Sequence, residues 1–212
     1  MEYQIILGTV STVLVLAGYL SYFKEALFGG TKPHAFTWLV WGVMNALTFF
    51  ASTSKGAGAG AWAVGASGGL NFVIFGIALF KGRKEITLTD KACLIAAFLG
   101  MAIWAITADP LWSVIIVTVV DEVAFIPTLR KAYKRPAEES VTIFALSSVS
   151  YFVSLFAIGT INLATVLYPA SLFIADALYV LVMLYRRSGM DAHAGSSYAR
   201  PMGSSLRSRC TQ

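Results

Sequence analysis

The apolar residues of this chain come in long blocks, and that constrains its fold more than any other feature. Between residues 4 and 185 there are seven such blocks. Each has about 18–20 residues, the length at which an α-helix crosses the hydrocarbon core of a bilayer. Only 13% of the 212 residues are charged, about half the share in a soluble domain. This excludes a soluble enzyme, a disordered chain and a disulfide-stapled secreted domain. Seven crossings need roughly 140 residues, which leaves no room for a second soluble domain.

The blocks predict membrane helices over 4–22, 37–53, 61–80, 92–108, 111–129, 141–158 and 164–185. The first follows Met1-Glu2-Tyr3-Gln4, has no basic n-region and lacks a clear small-x-small cleavage site before Phe23-Lys24. It reads as a retained membrane helix and not as a signal peptide. Residues 188–212 are rich in Ser, Gly, Ala and Arg and predict a disordered tail.

With the N-terminus on one side, all of the 16 basic residues except Lys55 fall on the other. The positive-inside rule then puts the N-terminus outside and the C-terminus in the cytoplasm of a plasma (inner) membrane. The excess of basic residues is a topology signal facing anionic lipid, so the expected partners are the bilayer and a small-molecule substrate, with no nucleic acid.

A shift of 105 residues superposes helix 1 on 5, 2 on 6 and 3 on 7. Asn71 falls on Asp176, Asn45 on Ser150, and Phe80-Lys81 on Tyr185-Arg186. Helix 4 has no counterpart. The extra crossing makes the two halves parallel, an arrangement found in some transporters. The expected plan is all-α and integral to the membrane. Residues 1–84 form a first three-helix repeat, 85–109 a linker helix, and 110–187 a second three-helix repeat (3+1+3). Two repeats complete a cavity, so a monomer suffices and a homo-oligomer is compatible.

Polar groups inside a membrane are costly and mark function or interhelical bonding. Asn45, Asn71, Asp121, Glu122, Ser150 and Asp176 sit near the middle of their spans, the depth of a transporter's substrate site. Thr37, Trp41 and Asn45 share one face of helix 2, and Ser147, Ser150, Tyr151 and Ser154 form a stripe on helix 6. Asn71, Asp176, Asn45, Trp41 and Ser150 are the candidate substrate contacts, although membrane serines also serve simply as bonds between helices. Asp121, Glu122 and Asp176 have no intramembrane Lys or Arg to pair with. Such an acid can carry a coupled proton, act as counter-charge for a cation, or donate a structural hydrogen bond. Asp121 and Glu122 lie about 100° apart on the helix, so one faces the cavity and the other does not.

The remaining features point to packing. Ala61, Gly65 and Gly69 have small-xxx-small spacing, which permits close helix approach. Gly56–Gly60 lacks the lysine and preceding strand of a phosphate cradle. Trp38, Trp62 and Trp112 read as interfacial anchors. Cys93 and Cys210 predict neither a disulfide nor a metal site. With His34 and His193 as the only histidines, no catalytic constellation, metal or cofactor is expected. Retinal is excluded because helix 7 has no lysine to attach it. His34 reads as a surface residue.

Phe125-Ile126-Pro127-Thr128-Leu129-Arg130, followed by Lys134-Arg135-Pro136-Ala137-Glu138-Glu139-Ser140, resembles the PQ-loop and SWEET transporter superfamily. There a proline-polar pair near the inner end of a repeat's first helix precedes a basic loop. The resemblance covers roughly residues 5–187. It implies seven helices, an outside N-terminus, and a polar pair in the third and seventh helices that contacts the substrate. Asn71 matches the first member, and Asp176 stands at the second with an acid in place of an amide. The first repeat lacks the proline pair, reading Tyr19-Leu20-Ser21-Tyr22. Of the superfamily's usual helix prolines only Pro127 is present in helices 1, 2, 5 and 6, leaving Pro127, Gly42 and Gly18 as the candidate hinges. The implied function is transport of a small polar solute, sugar-like or amino-acid-like, with or without proton coupling. The alternative is a receptor of the same plan that binds a ligand without moving it.

Overall fold

The computed structural model describes residues 2–29, 31, 33–81, 88–107, 109–134 and 140–198. Among them are seven α-helices: α1 (Glu2–Phe28), α2 (Ala35–Ser54), α3 (Trp62–Lys81), α4 (Leu88–Thr107), α5 (Pro110–Lys134), α6 (Thr142–Phe156) and α7 (Leu163–Tyr198). A 3-10 turn, Gly58–Ala61, precedes α3. Five segments are long and apolar enough to cross a membrane: Glu2–Phe28, Ala35–Ser54, Gly58–Lys81, Pro110–Lys134 and Leu163–Ser188. The seven apolar blocks thus give five qualifying spans among the described residues. α6 is apolar but has 15 residues, about 22 Å of helix against a core of about 30 Å.

Helix ends follow local chemistry. α2 stops in a Schellman motif: Gly56 takes φ +85°, its N–H donates to Thr53 O at 3.0 Å, and Ala57 N–H donates to Ser52 O at 3.0 Å. A left-handed residue at that position favours glycine. Asp109 caps α5 by accepting from Leu111 N–H at 3.0 Å, with Pro110 pre-set at the first helical position. Asn162 and Thr165 cap α7 reciprocally, side chain to backbone in both directions. α7 stays helical to Tyr198, so the first part of the segment read as a tail continues the helix; 199–212 lie outside the described residues. So do residues 135–139 of the motif after α5, and most of the basic link between α3 and α4.

The faces of the helices are inverted relative to a soluble protein. α1 buries Gly8, Ser11, Val15, Gly18 and Tyr22 and exposes Ile6, Val10, Val13, Leu16 and Leu20. α6 buries Ser147, Ser150, Tyr151 and Ser154 and exposes Val149, Phe152 and Phe156. Large apolar side chains outside and small or hydroxyl residues inside suit a lipid solvent; in water such faces would drive aggregation.

α3 packs on both α1 and α2, and α7 packs on both α5 and α6. α1 also packs on α6 and α2 on α5, while α4 lies against α5 and α2. Close approach between α2 and α3 depends on Gly65, whose Cβ would meet the Phe49 ring at 2.7 Å, and on Gly68, whose Cβ would meet α2 backbone at 3.2 Å. Gly69 has nothing within 4 Å. The close face is therefore shifted by one residue from the small-xxx-small spacing, because Gly69 points outward.

The links gather at two ends. At one, Gly159 N–H donates to Ala57 O (3.1 Å) and Thr160 N–H to Gly56 O (2.9 Å), Gln4 Nε2 donates to Ile158 O (3.0 Å), and Lys55 pairs with Asp109 at 3.8 Å. At the other, Lys81 Nζ donates to Leu27 O (2.9 Å) and Arg186 Nε to Tyr133 O (3.0 Å). Lys55 thus sits apart from Lys81 and Arg186.

Candidate functional site

A cavity of about 50 Å³ lies where α1, α2, α3, α5, α6 and α7 converge. Its polar lining comprises Asn45, Asn71, Asp121, Ser147, Tyr151 and Asp176. Each is buried. Four of the five predicted substrate contacts, Asn71, Asp176, Asn45 and Trp41, line this one space. They come from α2, α3 and α7, and no local sequence pattern requires them to meet.

Ser150, the fifth, is not in the lining. It is fully buried against α1, where its hydroxyl donates to Ser11 O at 2.6 Å. Ser147, one turn earlier on α6, takes the place at the cavity. Ser147 and Ser150 are three residues apart and so about 60° from each other around the helix, enough for one to serve the interface with α1 and the other the cavity. Ser150→Ala is expected to lower stability by about 0.5–1.5 kcal/mol and to leave ligand affinity unchanged. Calorimetric binding alongside thermal unfolding checks this; a loss of affinity without loss of stability would return Ser150 to the site.

Of the adjacent acids, Asp121 lines the cavity. Glu122 does not, and lies beside Ser171 of α7. Asp121 and Asp176 are close enough to interact electrostatically. Asp121 also lies against the buried Tyr168. One carboxyl oxygen of Asp121 and the carbonyl oxygen of the Asn45 amide are buried without a hydrogen-bond partner. Asn45 Nδ2 is spent on Trp41 O at 3.0 Å. Tyr168 OH, a donor likewise buried without a partner, lies beside Asp121; since buried polar atoms are nearly always partnered, Asn45 Oδ1 is the acceptor left to a donor from elsewhere.

Two tyrosines hold the floor. Tyr19 OH donates to Asn71 Oδ1 at 2.5 Å, and Tyr151 OH shares a 2.9 Å hydrogen bond with Ser67 Oγ. Tyr19 was not singled out by the sequence pattern, although its spacing on the buried stripe of α1 was there to be read. Trp38, Phe125 and Phe144 were also missed as cavity residues. Trp38 is 5% exposed and packs at 5.3 Å from Trp41, so the anchor reading fails for it. Trp62 and Trp112 are 41% and 53% exposed, as anchors would be. Trp41 stacks in turn near Phe125 and Phe144. This aromatic cluster lies toward the end that carries Lys81 and Arg186.

Of the candidate hinges, Gly42 sits under the Phe72 ring, which its Cβ would meet at 2.9 Å; the position is set by packing on α3. Gly18 lies against Ile143 and Leu146 of α6. Pro127 falls within α5. α7 adds Pro169 inside its helix, which denies the Thr165 carbonyl its helical partner. His34 Nδ1 bonds Thr37 Oγ1 at 2.9 Å at the start of α2. No family model matches this chain, and neither does any curated protein or solved structure.

Proposed function

We propose that the protein is a transporter of a small polar solute that works by alternating access around this cavity, with Asp121 and Asp176 as its proton-carrying groups. One observation carries the reading: Asn71 and Asp176, the residues paired by the 105-residue shift, line the same cavity. The packing supports it. Exchanging α1 with α5, α2 with α6 and α3 with α7 preserves the packing pairs among these six helices, since α1·α6 becomes α5·α2, while α4 packs on the α2 and α5 side alone. On this reading the chain follows the seven-crossing 3+1+3 plan of the PQ-loop and SWEET superfamily. Its N-terminus faces outside, and α4 is the linker. Two three-helix bundles rock against each other, opening either the end around Gly56–Gly60 or the aromatic end.

In proteoliposomes, wild-type protein is expected to show counterflow of at least one solute from a panel of sugars, amino acids and organic cations. Asn71→Ala should abolish that flux, because it removes a lining group and the short partner of Tyr19 OH, which keeps only the Ser67 carbonyl at 3.5 Å. Its gel-filtration profile should not change. Normal flux through Asn71→Ala would remove Asn71 from the site. Saturable binding with no flux by wild-type protein would identify a receptor instead.

A further inference from the structure

From the lining we infer that the cavity is built for a small organic cation of the alkylammonium class, bound between Asp121 and Asp176 and capped by the aromatic rings of Trp38, Trp41 and Phe144. This rests on the transport reading for its biological sense, but not for its chemistry. Both carboxyls line the space, and no lysine or arginine is among the lining residues described. Two carboxyls lining one buried cavity repel each other and are each costly to desolvate. A single cation between them relieves both effects.

The other polar groups agree. Tyr168 OH lies beside Asp121 as a donor, while Asn45 Oδ1 is buried without a partner and asks for a donor or a positive charge and not for another acceptor. Asp121 and Asn45 are 4% and 5% exposed. Asn71 Oδ1 already accepts from Tyr19.

The aromatic wall argues against the alternatives. Aromatic faces attract cations and do so most strongly when dry, whereas a metal ion of hard character needs oxygen ligands around most of its sphere. A ligand bearing its own carboxylate, such as an amino acid or organic acid, would add a third negative group with no basic residue to receive it. Size matters too. About 50 Å³ holds about four waters at roughly 10–15 Å³ each, which favours an amine of a few heavy atoms over a sugar.

The test is calorimetric titration of the full chain in detergent with tetramethylammonium and with tert-butanol, a neutral molecule of similar size and shape. The cation is expected to bind at least about tenfold more tightly. Asp176→Asn, which keeps the shape and removes the charge, should weaken it roughly 30-fold or more. Trp41→Leu should weaken it by about 3- to 30-fold, and serves as the second variant if Asp176→Asn fails gel filtration. Equal affinity for tert-butanol, no binding of tetramethylammonium, or its displacement by equimolar sodium would each overturn the inference. Counterflow separates this from the transport reading. Flux of a neutral sugar without binding of tetramethylammonium sinks the cation and keeps the transporter. Tetramethylammonium binding without flux of any solute keeps the cation and sinks the transporter.

Discussion

Gly60→Val is expected to pry open the end of the bundle that holds the link between α2 and α3. A Cβ at Gly60 would lie 2.6 Å from Ile158 Cγ1, 2.8 Å from its Cα and 2.9 Å from its N. The last two are backbone atoms and cannot rotate away. Moving residue 158 also strains the adjoining pair, Gly159 N–H to Ala57 O and Thr160 N–H to Gly56 O. Overpacking costs about 1–3 kcal/mol, and each strained hydrogen bond adds about 0.5–1.5 kcal/mol. Thermal unfolding should register the loss. If this end is one of two alternating gates, Ser147→Cys should react with a water-soluble thiol reagent more than about tenfold faster when Gly60→Val is present, by the factor of ten per 1.4 kcal/mol. Cys93 and Cys210 would be replaced in both proteins. An unchanged melting temperature with an unchanged labelling rate would show that the contact at Gly60 yields without opening anything.

Trp38→Ala is the second large expected effect. Trp38 is nearly inaccessible, with ring centroids 4.8 Å from Tyr22 and 6.3 Å from Tyr19. A helix unpacked within a bilayer stays in apolar solvent, so the water-transfer part of the usual penalty is absent. The cavity part remains. At about 24 cal/mol per Å³, removing most of an indole costs on the order of 3 kcal/mol. Trp38→Phe should recover a large share. Equilibrium unfolding in mixed micelles distinguishes the two roles for this residue, since an interfacial anchor would lose only a few tenths of a kcal/mol on truncation in detergent. A loss that small would reinstate the anchor and remove the aromatic cluster as a seal.

The positions of the long apolar helices were legible in the sequence because their cause is local. A run of apolar residues long enough to cross a bilayer must satisfy its backbone internally, and the helix is the way to do so. Their ends were legible only in part: α1, α5 and α7 run on to Phe28, Lys134 and Tyr198, past the predicted 22, 129 and 185, because an apolar block marks the length that crosses a bilayer and not where the helix stops. The lining of the cavity was legible in part. Asn71, Asp121 and Asp176 stand out because ionisable and amide groups are expensive in hydrocarbon, whatever the fold.

Tertiary structure decided the rest. A helix periodicity tells which residues share a face but not what that face meets. Ser147 and Ser150 belong to one predicted stripe, yet α1 captures Ser150 with the Ser11 carbonyl while Ser147 is left to the cavity. Asp121 and Glu122 are neighbours in sequence, and only the packing of α5 shows that Asp121 lines the cavity. Tyr19, Trp38, Phe125 and Phe144 look like ordinary membrane aromatics until α1, α2, α5 and α6 are packed. The sequence by itself determined that this is an apolar helical protein with acids and amides near the middle of its long helices. Which of those groups meet in one cavity, and which are spent in holding helices together, was decided by packing, because the rotation of each helix about its axis is set by its neighbours and not by its own residues.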